Sequence, residues 1–215
     1  MSKAITLLLA LAGAVSVAQA QDAAAGEKKA TLCIGCHGIP GYQASFPEVH
    51  KVPMIAGQGG KYIAAALAAY KKGERKHPTM RAIAASLSDT DMADLAAFYE
   101  KQGASAVKTV ADTPAAAPSA EVAALLAKGA CASCHGANFS KPIDPGYPKI
   151  AGQHADYLAV ALHAYTVQGN PQVGRGNAIM VGQASQFKRA EIKALAQYIG
   201  SLPSELHTVP QAKFR

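Results

Sequence analysis

The sequence predicts an all-α protein built from two copies of one helical unit. Three observations carry this. Half of the 215 residues are hydrophobic, yet only 6% are aromatic and Trp is absent; an alanine-rich, aromatic-poor chain favours helix over a β-sandwich. Apolar residues recur at helical spacing, as in Tyr62, Ile63, Ala66, Leu67 and Tyr70. Blocks of sequence return after slightly under 100 residues, which marks a duplication and not a short-period solenoid. A charged fraction of 16% beside this apolar content excludes wholesale disorder.

The first 20 residues are expected to be a leader. Lys3 supplies a positive start, Ala4 to Ala12 is apolar apart from Thr6, and Ala18-Gln19-Ala20 is a small-x-small cleavage site. Cleavage after Ala20 gives an exported, periplasmic chain starting at Gln21. The apolar stretch is short for a span of roughly 20 residues, and no later stretch is longer than Tyr62 to Tyr70.

The repeat then divides the chain. Pro53-Met54-Ile55-Ala56-Gly57-Gln58 returns as Pro148-Lys149-Ile150-Ala151-Gly152-Gln153. Tyr62, Ala66, Leu67 and Tyr70 return as Tyr157, Ala161, Leu162 and Tyr165. The expected division is a first unit over 21–103, a linker over 104–118 and a second unit over 119–215. The linker is Ala/Pro-rich around Thr113 to Pro118, a composition that stays extended and semi-rigid.

Each unit reads as helix, loop, helix, loop, helix. Val122, Leu125, Leu126 and Gly129 run at helical spacing into a cysteine pair. The last helix of the first unit opens at Ser88 with Asp91 three residues on, a capping box with Asp in place of Glu. Its buried face is Met92, Leu95, Ala96 and Tyr99, matched in the second unit by Ile192, Leu195, Ala196 and Ile199.

The four cysteines fall as Cys33-Ile34-Gly35-Cys36-His37 and Cys131-Ala132-Ser133-Cys134-His135. In Cys-x-x-Cys-His, two thiols add across the vinyl groups of one haem and the following His lies under the iron. A four-thiolate zinc site would bring both pairs to one metal, whereas these lie in two equivalent units. A thioredoxin motif expects a βαβ context, which is absent. Two covalently bound haem c groups are therefore expected, on Cys33 and Cys36 and on Cys131 and Cys134.

The duplication also selects the sixth ligands. Beyond the leader, methionine occurs at 54, 80, 92 and 180. Met54 aligns with Lys149, and Met92 aligns with Ile192 on an apolar helix face. Met80 aligns with Met180, 43 residues beyond His37 and 45 beyond His135, both in loops after the second helix. Thioether ligation raises the potential and suits reversible electron transfer. The expected iron ligands are His37 with Met80 and His135 with Met180. None of the other five histidines has a His at its repeat counterpart; His77, three residues before Met80, is the main rival.

With these motifs the chain resembles the cytochrome c4 family, dihaem proteins made of two class I cytochrome c domains in tandem. The resemblance implies a periplasmic carrier passing single electrons from a quinol-oxidising complex to a terminal oxidase, without enzymatic activity or a small-molecule substrate. It also implies that the Pro53 and Pro148 carbonyls accept from the ligating histidines, with Ile55 and Ile150 beside the haems. The alternative is a dihaem subunit of a redox enzyme complex, such as a flavoprotein sulfide dehydrogenase. Peripheral membrane association is compatible with both. Tyr62, Tyr70, Tyr157 and Tyr165 either wall the haems, meet between the domains or fill helix cores.

The formal charge of +7 gives little guidance, because residues 21–110 hold 11 basic and 8 acidic side chains and residues 111–215 hold 9 and 6. Haem propionates would offset most of it, and export excludes nucleic acid. Lys71, Lys72, Arg75 and Lys76 form a basic run whose plain reading is a solvated loop.

Overall fold

The computed structural model describes residues 21–102 and 110–210. The expected leader and the first part of the expected linker lie outside the described residues. The first half contains α1 (Ala23–Lys29), α2 (Thr31–His37), α3 (Gly60–Lys72), α4 (Pro78–Ala85) and α5 (Asp89–Lys101). The second half repeats the order as α6 (Ala120–Lys128), α7 (Cys131–His135), α8 (Ala155–His163), α9 (Ala178–Ala184) and α10 (Arg189–Ser201). Among the described residues a 3-10 helix (Ala164–Thr166) and four two-residue strands complete the framework. β1 (Gln43–Ala44) pairs with β2 (His50–Lys51), and β3 (Arg75–Lys76) pairs with β4 (Gly174–Arg175), both antiparallel.

Each domain is organised by its last helix. α1 and α3 pack on α5, and α6 and α8 pack on α10. The faces legible in the sequence are the buried ones: Leu95 and Ala96 are 1% and 0% exposed, Ile192 and Leu195 both 1%. Full burial of an aliphatic side chain of this size contributes about 1.5–3 kcal/mol. α5 starts at the expected capping box: Ser88 Oγ accepts from Asp91 N–H at 3.1 Å, and Asp91 Oδ2 accepts from Ser88 N–H at 2.9 Å.

The three-helix expectation for each unit needs correction. Met80 and Met180 lie in short helices, α4 and α9, and not in loops. Both helices start from a side-chain cap. His77 Nδ1 faces Met80 N–H at a long 3.5 Å, and Asn177 Oδ1 accepts from Met180 N–H at 3.0 Å. Helices of eight and seven residues are too short for a 3.6-residue period to stand out.

The domains meet around a pseudo-twofold axis. In the β3–β4 ladder Arg75 is the direct partner of Arg175, its own counterpart in the repeat. Gln58 and Gln153, also counterparts, each bond the opposite domain's main chain. The chain beyond α10 crosses back to the first domain, where His207 N–H donates to Ala56 O at 3.2 Å. Before α6 the chain lies along the second domain: Asn138 Nδ2 donates to Ala111 O at 2.6 Å and Tyr198 OH to Ala116 O at 2.9 Å. Among the described residues no helix is long and apolar enough to cross a membrane.

Candidate functional site

The cysteine pairs sit on α2 and α7, with His37 and His135 as the last residues of those helices. All four thiols are unpaired and half-buried. Both Cys-x-x-Cys-His motifs, Met80 and Met180 line a cavity walled from both domains. Its remaining wall is mostly apolar, including Ile63, Leu67, Leu95, Leu158, Leu162 and Ile199. Met92 lies instead in the first domain's core, 3% exposed.

Each histidine is held through one ring nitrogen. His37 Nδ1 lies 2.9 Å from Pro53 O, and His135 Nδ1 lies 3.0 Å from Pro148 O. A carbonyl only accepts, so Nδ1 is the protonated nitrogen, and Nε2 is left bare for a metal. Among the described residues neither Nε2 has a protein partner. Burial holds both imidazoles below the ordinary histidine value, outweighing the Pro carbonyls that favour the protonated form. Both are thus neutral at pH 7, as a ligand must be.

The carbonyls are aimed by a repeated glycine turn. Gly57 (φ +80) and Gly152 (φ +64) donate to Tyr99 O and Ile199 O, both at 2.8 Å. A Cβ at either position would come within 2.3 Å of the returning C-terminal segment. Only glycine meets both demands. The turn thereby fixes the Pro53–Gln58 and Pro148–Gln153 segments against the last helix of each domain.

The four tyrosines do two of the things considered for them: they line the cavity and they meet between the domains, around two arginines. Arg75 donates to Tyr62 OH at 3.1 Å and to Tyr157 OH at 3.3 Å, while Arg175 donates to Tyr157 OH at 3.1 Å. The Arg75 guanidinium also lies 4.5 Å from the Tyr70 ring centre, and that of Arg175 lies 5.4 Å from Tyr165. Burial pushes the Tyr157 phenol up, but the charges of Arg175 and Arg75 outweigh it and bring it down to about 8. Arg75 is therefore part of the cavity wall and not of a solvated basic loop. Sequence reasoning gave no role to Arg175; the signal was its position 100 residues after Arg75.

These features together test whether a haem fits. Free thiols at the right spacing, a neutral imidazole with bare Nε2, a thioether and an apolar wall suit the porphyrin. Neither Arg75 nor Arg175 has a carboxylate partner among the described residues, and Arg75 Nε is buried with no partner at all. Two adjacent, desolvated cations call for anions, and propionates are anions of suitable reach.

Comparison with known proteins agrees. The Cytochrome c family model matches residues 23–102 and again 119–203. The chain belongs to the cytochrome c family. Within it, this cytochrome is 34% identical to cytochrome c4 of Stutzerimonas stutzeri, over 94% of this chain and 100% of that protein. The crystal structure of reduced cytochrome c4 from Pseudomonas stutzeri superposes with a TM-score of 0.59 at 28% identity, covering 85% of this chain and 100% of that one. A protein of Thiomonas intermedia named as a thiosulfate dehydrogenase electron acceptor is 29% identical over 92% of this chain and 90% of its own. The chain is thus a dihaem electron-transfer cytochrome of the cytochrome c4 type, with two covalently bound haem c groups.

Proposed function

We propose that this cytochrome is a periplasmic carrier that takes single electrons from a quinol-oxidising complex and delivers them to a terminal oxidase. Residues 1–20 are the cleaved leader, residues 21–103 and 119–215 the two haem domains, and residues 104–118 the linker. Cys33 and Cys36, and Cys131 and Cys134, form the thioethers. His37 with Met80, and His135 with Met180, are the axial ligands.

The observation that carries this reading is the equivalence of the two sites. Each offers a histidine tied through Nδ1 to a proline carbonyl, with a methionine lining the same cavity. Two protein ligands per iron leave no open coordination position for a substrate. The haems supply reversible one-electron chemistry. The chain's own residues orient the ligands, exclude water with an apolar wall and neutralise the propionates with Arg75 and Arg175. The test is a carbon monoxide difference spectrum of the reduced native protein, with haem content measured on the same sample. Two haems and no rapid binding are expected; rapid binding at one haem would replace the carrier by an enzyme or sensor.

The name of the Thiomonas intermedia relative favours a second reading, in which the donor is a substrate-oxidising dehydrogenase. Rapid-mixing reduction by each class of donor separates the two. Faster reduction by a quinol-oxidising complex supports the first reading, and faster reduction by a thiosulfate-oxidising enzyme supports the second.

A further inference from the structure

We propose that Gln58 and Gln153 are positioning residues for the opposite domain's haem, each holding across the interface the peptide that orients the other domain's ligating histidine. The inference rests on the assignment of His37 and His135 as iron ligands.

The Pro53–Met54 peptide presents two polar groups. Its carbonyl, Pro53 O, accepts from His37 Nδ1–H at 2.9 Å. Its N–H, on Met54, donates to Gln153 Oε1 of the second domain at 3.0 Å. Gln153 Nε2 then donates to Met54 O at 2.8 Å. The carboxamide thus pairs with both main-chain groups of Met54, as a neighbouring strand would. The reciprocal set is complete. Pro148 O faces His135 Nδ1 at 3.0 Å, Lys149 N–H donates to Gln58 Oε1 at 2.9 Å, and Gln58 Nε2 donates to Lys149 O at 2.9 Å.

Two further observations make this a built device. Both glutamines are buried, at 5% and 4% exposed. Each Oε1 also accepts the N–H of the following residue, Gly59 or His154, at 3.0 Å. The carboxamide orientation is thereby fixed, because a flipped amide would set NH₂ against two N–H donors. The contacts are to main chain only. That is why the repeat keeps glutamine at 58 and 153 while position 54 is Met and position 149 is Lys.

The direction of the effect follows from the peptide being one conjugated unit. An acceptor on its N–H polarises it and makes its carbonyl oxygen a stronger acceptor. A stronger acceptor at Nδ1–H makes the imidazole a more basic ligand. A more basic ligand favours ferric iron and lowers the potential. Gln153 therefore lowers the potential of the first domain's haem, and Gln58 that of the second.

The experiment uses the full holoprotein and the variants Gln153→Leu, Gln58→Leu and Gln153→Glu. Each is titrated redox-chemically while the haem methyl NMR resonances read the two irons separately. Gln153→Leu is expected to raise the potential of the first domain's haem more than that of the second, and Gln58→Leu to do the reverse. Gln153→Glu keeps the side-chain length and an acceptor for Met54 N–H and adds a negative charge, so it is expected to shift the first haem's potential in the direction opposite to Gln153→Leu. Should the Leu variants fail to assemble haem, Gln153→Asn, one methylene short of Met54, is expected to give the same crossed shift. Equal shifts at both haems, a larger shift in the substituted domain or no shift would overturn the proposal. The hyperfine-shifted ring-proton resonances of the iron-bound histidines are first assigned in the wild-type protein. Their assignment to residues other than His37 and His135 would sink the ligand assignment, whereas their assignment to these two without a crossed shift sinks only the relay.

Discussion

Arg75 and Arg175 are direct partners in the antiparallel ladder that joins the two domains, and each is the other's counterpart in the sequence repeat. Two like charges are thereby placed side by side at the pseudo-twofold axis. The four tyrosines around them supply hydroxyls and ring faces but no formal negative charge. The pair stays cationic and raises the electrostatic potential felt by both irons.

Removing one of these charges should therefore lower both haem potentials. A unit charge acting through an effective dielectric near 20 contributes on the order of 1 kcal/mol, which is roughly 40 mV in a one-electron couple. Potentiometric titration of Arg75→Gln and Arg175→Gln checks this. Because the pair lies on the axis, each substitution is expected to move both haems, and a shift confined to one domain would count against the shared role.

The caps of α4 and α9 lead to a second expectation. Asn177 Oδ1 accepts from Met180 N–H, and loss of such a cap costs about 1 kcal/mol. Asn177→Ala should lower the thermal midpoint and speed imidazole binding at the second haem, since the turn holding Met180 is loosened. His77→Asn should leave the absorption spectrum unchanged. A changed spectrum in that variant would mean that His77 is more than a cap.

Gly26 sits where α1 crosses α5. A Cβ there would lie 2.1 Å from Asp94 O and 2.8 Å from Phe98 Cβ, and backbone cannot move aside cheaply. Gly26→Ala should cost about 1–3 kcal/mol or more, read as a lower unfolding midpoint of the first domain. Gly35 is the control, with nothing within 4 Å of a built Cβ. Gly35→Ala, at a position that Ser133 fills in the second domain, should be neutral or stabilising by about 0.5–1 kcal/mol.

Acid should unfold the first domain through Lys29. Its ammonium contacts Asp91 and Asp94 at 2.7 Å each, and Asp94 also accepts from Asp22 N–H at 2.9 Å, so α1 is tied to α5 at both ends. The hydrogen bonds from Lys29 hold both carboxyls below the ordinary Asp range. A carboxyl lowered on folding adds stability above its unfolded value, near 3.9, and that stability is lost as pH falls through the lowered folded value. Thermal midpoints measured from neutral pH downward should drop steeply below about pH 4. Lys29→Met should flatten that drop.

Much of the fold was legible because it depends on local pattern. The faces of α5 and α10 repeat at 3.6 residues, and Ser88 with Asp91 forms the cap that its sequence suggests. The short helices α4 and α9 were not legible, since seven or eight residues between loops carry too little periodicity. Arg75 was misread as part of a solvated run because its neighbours Lys71, Lys72 and Lys76 share its charge. Only the opposite domain shows that the third of these four basic residues turns inward. His77, the rival ligand in the sequence, lines the cavity and also faces Met80 N–H from the start of α4.

The sequence by itself determined that there are two equivalent units, that each carries a Cys-x-x-Cys-His motif, and that Met80 and Met180 correspond. Spacing and duplication are properties of the chain, so they survive without coordinates. The tertiary structure alone decided how the units face each other. It placed Arg75 beside Arg175, turned Gln58 and Gln153 into cross-domain contacts and brought the C-terminal segment back to Ala56. The reason is that these contacts join residues 91 to 151 positions apart through main-chain groups and a twofold arrangement. Main-chain groups are the same at every position, so no residue pattern announces which of them will meet.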